Sequence, residues 1–198
     1  MLIHMLRYFA FDRMRGFRAF SWVTGVALLW LTYVSAVNGF MLPWDRLAQF
    51  VTQTSFEWLD WLPGFQGRLI RNFILPEHVT NRLFSLLVFM HIGVPLLLLL
   101  AMWIHVQRVP KAAMTPPKPL TIALSVTLVV LSLVAPVLSQ GPADLHTTPL
   151  ELSFDWILLP VFALIEAVPM GVLWGVTVGL TGLGVILPWL TLKRGAKA

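Results

Sequence analysis

Two histidines, His91 and His105, stand fourteen residues apart inside one apolar stretch, residues 83–106. Fourteen residues make about 3.9 helical turns and a rise of roughly 21 Å, so on one helix both imidazoles leave the same face near opposite sides of a bilayer core. An imidazole is costly in lipid unless its nitrogens are satisfied. Coordination to iron satisfies one of them, while the other ring N–H seeks a backbone or side-chain acceptor. Histidines paired at this separation in a membrane helix therefore point to two stacked haems. The alternative chemistry is hydrogen bonding between helices by one or both rings.

The elements that would carry them must be formed in lipid. Of the 198 residues, 58% are hydrophobic and only 12% charged, and the mean hydropathy is +0.80. This excludes an ordinary soluble domain and implies a polytopic membrane protein. There is no cysteine, which rules out disulfides, thiolate ligation of haem, cysteine-held iron–sulfur clusters and covalent haem attachment within this sequence. Any haem is held non-covalently. The net charge of +5 sits in short flanks and loops, so it reads as membrane orientation and contact with lipid headgroups, with no role in binding nucleic acid.

Four segments are long and apolar enough to span a bilayer: residues 20–42, 83–106, 120–139 and 170–192. Residues 156–167 are apolar but too short to cross, and stop before Pro169, which predicts a short re-entrant or interfacial helix. Trp30, Met90 and Trp103 read as packing within the bundle. The fold class is thus all-α integral membrane, with about four transmembrane helices and one short interfacial helix. Basic residues dominate the N-terminal flank (Arg7, Arg13, Arg15, Arg18), the 108–118 connector and the 193–197 tail, whereas loop 45–82 is balanced and loop 141–155 acidic. By the positive-inside rule both termini and the basic connector are cytoplasmic, and the two longer loops face out. The first outer loop holds Trp44, Phe50, Phe56, Trp58, Trp61 and Phe65, consistent with a surface helix whose aromatic rings lie at headgroup level. The first ten residues lack a cleavage site and look like the end of a helix.

Several motifs together resemble a known family. Gly39-Phe40-Met41-Leu42-Pro43-Trp44, with Pro63 nineteen residues after the Trp, is similar to the end of the third helix and the following loop of cytochrome b from quinol–cytochrome c oxidoreductases. Gly25 precedes Gly39 by fourteen residues, the spacing of two family glycines that let haem edges approach the helix backbone, a role suited to a residue without Cβ. Asn81 to Ser85 before His91, and Pro95 four residues after it, resemble the fourth, haem-bearing helix. Thr147-Thr148-Pro149, Phe154-Asp155-Trp156-Ile157 and Val168-Pro169 resemble the outer quinol-site loop with its Pro-Glu-Trp-Tyr motif. The resemblance departs at Phe154, Asp155 and Ile157, and at Asp45, where the family usually has glycine. It also lacks a counterpart to the first helix and to most of the second.

The resemblance implies b-type haem, one or two per chain, each between a histidine of the second helix and one of the fourth. His4 fits the tail of the second helix and would join His105 at the inner haem, with Arg7, three residues on, at a propionate. A terminal His4 without such a role is the alternative. The family's partner for His91 would fall roughly fourteen residues before His4. A start placed too late, a split protein whose missing helices are another polypeptide, or a single-haem descendant would each account for this. His78 and His146 lie in loops and read as surface or proton-handling residues.

By this resemblance residues 1–110 form a haem-binding part and residues 111–198 a part with the outer quinol-site loop. Asp155 would accept a proton from quinol, its pKa raised by partial burial, or would cap the helix that follows. Glu166 would pair with an arginine of the first outer loop. The four N-terminal arginines read as phospholipid anchors. The implied function is a membrane electron-transfer subunit passing electrons between quinone and a partner redox protein. That partner would be an iron–sulfur or c-type cytochrome subunit, and a bacterial inner membrane is the expected location. The alternative is a haem-free anchoring or assembly subunit that keeps the fold.

Overall fold

A computed structural model describes residues 1–109, 115–147, 151–154 and 158–190. Among the described residues seven α-helices run in the order α1 (Leu2–Ala10), α2 (Ala19–Met41), α3 (Arg46–Asp60), α4 (Asn81–Gln107), α5 (Lys118–Val134), α6 (Leu159–Ala167) and α7 (Met170–Ile186). No β-strand occurs among the described residues, only an isolated antiparallel bridge between Asp45 and Pro142. The fold is all-helical, as the sequence predicts, and among the described residues three stretches are long and apolar enough to cross a membrane: Gly16–Met41, Asn81–Gln107 and Met170–Trp189.

The fourth expected span is shorter than predicted. Helix α5 has 17 residues and ends at Val134, giving about 26 Å of helix against a hydrocarbon core of about 30 Å. Its stop has a local cause. Pro136 disfavours helical backbone at Ala135, although the apolar run continues through Val137 and Leu138.

Helices α2 and α4 form the central antiparallel pair, and α7 runs antiparallel to α2 along its other side. Two tryptophans of α2 fix that second contact, Trp22 donating to the Gly184 carbonyl at 2.7 Å and Trp30 to the Thr181 hydroxyl at 3.2 Å. Buried N–H groups held this way in lipid resist sliding of one helix along the other. At the C-terminal end of α2, α3 lies against α2 and α6. Its inward face carries Leu47, Val51 and Phe56, which join Met41, Leu83, Leu87, Phe162 and Ile165 in the largest apolar cluster.

The turn from α2 to α3 places Trp44, a non-glycine residue, at φ +52°, a left-handed conformation costing about 1–2 kcal/mol. The Trp44 ring packs edge-on against Phe84 at 5.2 Å. Asp45 itself is extended at φ −93°, so its departure from the family's glycine imposes no strain.

Candidate haem and outer-loop sites

Gly25 and Gly39 both face α4, one opposite each histidine. A Cβ added at Gly25 would lie 3.5 Å from Cε1 of His105, and one at Gly39 would lie 3.3 Å from Cε1 of His91. The glycines thus let two imidazoles rest directly on the α2 backbone. Pro95, inside α4, has no N–H to offer the His91 carbonyl four residues earlier, which loosens the helix ladder beside that ring.

At the N-terminal end of α2 the turn between α1 and α2, made with Asp12 at φ +50° and Gly16 at φ +61°, folds α1 back beside α2. Arg15 closes it by an ion pair to Asp12 at 2.8 Å. The result is a cavity of about 700 Å³ lined by His4, Gly25 and His105, together with Arg13, Arg18 and Arg108. Tyr8 lies against His4 with ring centroids 4.8 Å apart. Each arginine is laid over a phenylalanine: Arg13 on Phe11, Arg18 on Phe17 and Arg108 on Phe20, at 5.1 to 5.5 Å. Such stacking holds guanidinium groups at the cavity mouth where they can meet an anion. Arg7 is exposed on α1 and is not among the lining residues. The three arginines that do line the cavity carry no sequence signal beyond the positive charge read as headgroup anchoring.

The two histidines differ in their partners. Nδ1 of His105 is 2.9 Å from the Thr24 hydroxyl, whereas Nδ1 of His91 is buried and lacks a hydrogen-bond partner among the described residues. An imidazole nitrogen buried without a partner is costly, which suits a ring whose nitrogens are to be occupied by a ligand. The residues therefore fit a haem at the inner cavity, through His4, His105 and the Gly25 cradle, and half of a second site at His91 and Gly39.

The outer loop after α5 is stitched to α3. Asp45, 8% exposed, caps α3 by accepting from the Ala48 N–H at 2.8 Å. Its other oxygen accepts from the Ser139 hydroxyl at 3.2 Å and the Gln140 N–H at 3.1 Å. Gln49, 1% exposed, donates to the carbonyls of Asp144 and Thr147 and accepts from the Asp144 N–H. The Gln140 side chain then makes paired bonds to the backbone of Ser153, at 2.6 and 3.0 Å, two residues before Asp155. Asp155 lies outside the described residues. Helix α6 begins at Leu159 with Leu158 at its N-cap position. None of Asp45, Gln49 or Gln140 was singled out by type and spacing as a site residue, since each reads as an ordinary loop polar group.

Glu166 does not take the arginine partner expected of it: among the described residues the one ion pair is Arg15–Asp12. Its electrostatic neighbour is Glu57 on α3, whose carboxyl is raised above its ordinary range by burial first and by the Glu166 charge second. Trp103 is also not bundle packing, being 60% exposed on the face of α4 turned away from α2.

A membrane bundle with histidines set against glycines on a facing helix defines a class of helical integral-membrane proteins, and comparison with known proteins narrows it. The family model described as cytochrome b (N-terminal)/b6/petB matches residues 1–142. The chain belongs to the cytochrome b family. It is 25% identical over 219 residues to cytochrome b of Dictyostelium discoideum, covering 97% of this chain and 56% of that protein. With the cytochrome bc complex cytochrome b subunit of Chlorobaculum thiosulfatiphilum it shares 35% identity over 106 residues, covering 51% and 24%. Cytochrome b6 of Gracilaria tenuistipitata var. liui is 26% identical over 121 residues, covering 59% and 55%. The chain spans about half the length of the cytochrome b and cytochrome b6 relatives and about a quarter of the bc-complex subunit. It is an integral membrane protein.

Proposed function

We propose that this chain is a membrane electron-transfer subunit that passes electrons between a quinone or quinol and a partner redox protein by means of b-type haem. The observation that carries this reading is the inner cavity, which His4, His105 and Gly25 line together and in which the His105 ring rests against Gly25. When bound, a b-type haem supplies a one-electron redox centre within the bilayer. The part of His4 and His105 is to hold the iron from two helices, and Gly25 gives the ring space against α2. Arg13, Arg18 and Arg108 neutralise propionates at the cavity mouth, a role in which they replace or accompany Arg7. At the outer end His91 and Gly39 repeat half of this arrangement, and the second ligand comes from a further membrane segment outside the described residues, in the same polypeptide or a neighbouring one.

Asp155 takes a proton from quinol at the outer face, on a loop held by Gln140 and Gln49. An iron–sulfur or c-type cytochrome subunit receives the electrons there, and membrane lipid surrounds the bundle. The basic inner end is cytoplasmic, in a bacterial inner membrane. Against a haem-free anchoring role stands His91: an interhelical hydrogen-bonder would have a partner for its buried Nδ1, and this one has none. The test is His105→Ala, which leaves only the carbon-bearing neighbours Ile104 and Val106 beside that position on α4. Loss of one haem equivalent from the purified protein is expected. Unchanged haem content and spectrum would remove the proposal.

A further inference from the structure

We propose that Thr24 is a positioning residue for His105, fixing the ring as its Nδ1–H tautomer so that Nε2 keeps the lone pair offered to a ligand. The inference rests on the haem-site reading above, since that reading gives Nε2 its use.

The hydroxyl of Thr24 has one proton and three near neighbours. Two are carbonyls of its own helix, Phe20 at 3.0 Å and Ser21 at 3.1 Å, which can only accept. The third is Nδ1 of His105 at 2.9 Å. Back-bonding to a carbonyl three or four residues earlier is the ordinary behaviour of a threonine inside a helix, and it commits the hydroxyl proton. What remains toward His105 is an oxygen lone pair, so Nδ1 must carry the hydrogen and donate it. In neutral imidazole the other nitrogen is then bare. Thr24 also immediately precedes Gly25, against which the same ring rests: one residue makes room for the imidazole, and its neighbour sets which nitrogen is protonated.

The outer histidine provides the contrast. Asn38 stands fourteen residues after Thr24 and immediately precedes Gly39, so it occupies the corresponding place on α2. It is 6% exposed, yet among the described residues neither its Oδ1 nor Nδ1 of His91 has a partner. The orienting bond is thus built at His105 and not at His91. A donor bond from Nδ1–H makes Nε2 the stronger ligand and favours ferric over ferrous iron, so its removal should raise the midpoint potential of the inner haem only.

The closing experiment compares wild type, Thr24→Val, which keeps the branched shape without the hydroxyl, and Thr24→Ser, which keeps the hydroxyl. Nitrogen-15 NMR of the full chain before haem loading reads the His105 tautomer directly. The expected result is Nδ1–H in wild type and in Thr24→Ser, and a mixture of tautomers in Thr24→Val. In the haem-loaded protein with its co-purifying subunits, Thr24→Val should weaken haem retention by about tenfold or more, the range for removing an outer-shell partner, and move one midpoint potential upward while Thr24→Ser stays at the wild-type value. An Nε2–H tautomer in wild type, or a Thr24→Val protein with wild-type tautomer, haem retention and potentials, overturns the role of Thr24 while leaving the haem reading intact. Absence of haem from wild type would instead overturn the haem reading, whatever the tautomer.

Discussion

Gly39 is the tighter of the two positions where α2 makes room for an imidazole, because a Cβ there would press His91 at 3.3 Å, whereas at Gly25 it would merely touch His105 at 3.5 Å. Valine at either position adds two further carbons and should lower haem content more than it lowers helix content. Gly39→Val should be the more severe of the two. Haem quantitation beside far-ultraviolet circular dichroism checks this, and normal haem in both variants would reduce the glycines to helix packing. At the outer surface, Glu57 gives a pH dependence. Its carboxyl is raised by burial and by Glu166, so the folded state binds the proton more tightly than the unfolded one, and stability falls as pH rises from the ordinary carboxyl range through the raised value. Glu57→Gln should remove that fall and leave the variant the more stable at neutral pH, by less than about 1 kcal/mol for so exposed a pair. Thermal melts at pH 4 and pH 7 in detergent measure it, and an unchanged pH slope would contradict the assignment.

At the scale of elements, the Asp45, Gln140 and Ser153 contacts make α3 the support of the loop that follows α5. Asp155→Asn is expected to slow quinol turnover with haem content unchanged, because the amide cannot take the proton. Gln140→Leu should produce a milder version, raising the quinol KM by releasing Ser153 from two hydrogen bonds worth about 1 kcal/mol each. Normal steady-state kinetics in both variants would separate this loop from the chemistry. The helices themselves were legible, since the run of apolar residues and the flanking charges outline α2, α4 and α7 directly, and Pro169 marks where α6 gives way to α7. Less was legible in α3, read as a surface helix on its aromatic residues: its buried face includes Gln49, Thr52 and Thr54, which alternate with apolar residues and weaken the hydrophobic signal. A buried glutamine that serves as a loop clamp has the same sequence signature as an exposed one.

The whole molecule exposes much of its apolar surface. Phe89, Ile92, Leu96, Leu99 and Trp103 form a stripe on the outer face of α4, and α5 has no buried residue. In a bilayer this carries little penalty, because lipid tails are as apolar as the side chains they meet, and it is why Trp103 could not be told from core by composition. The paired histidines and glycines were legible because their fourteen-residue spacing survives any register of the surrounding leucines. Arg108 and Thr24 were not, because their roles arise only when α2 and α4 are brought together. The inner cavity is expected to hold a haem between His4 and His105. A reduced-minus-oxidised spectrum with haem-to-chain stoichiometry, taken on the purified protein and on its His105→Ala variant, tests it most directly. Wild type is expected to show a b-type α band, and the variant one haem equivalent fewer. A wild type without the band, or a variant with the same spectrum and stoichiometry, would contradict it.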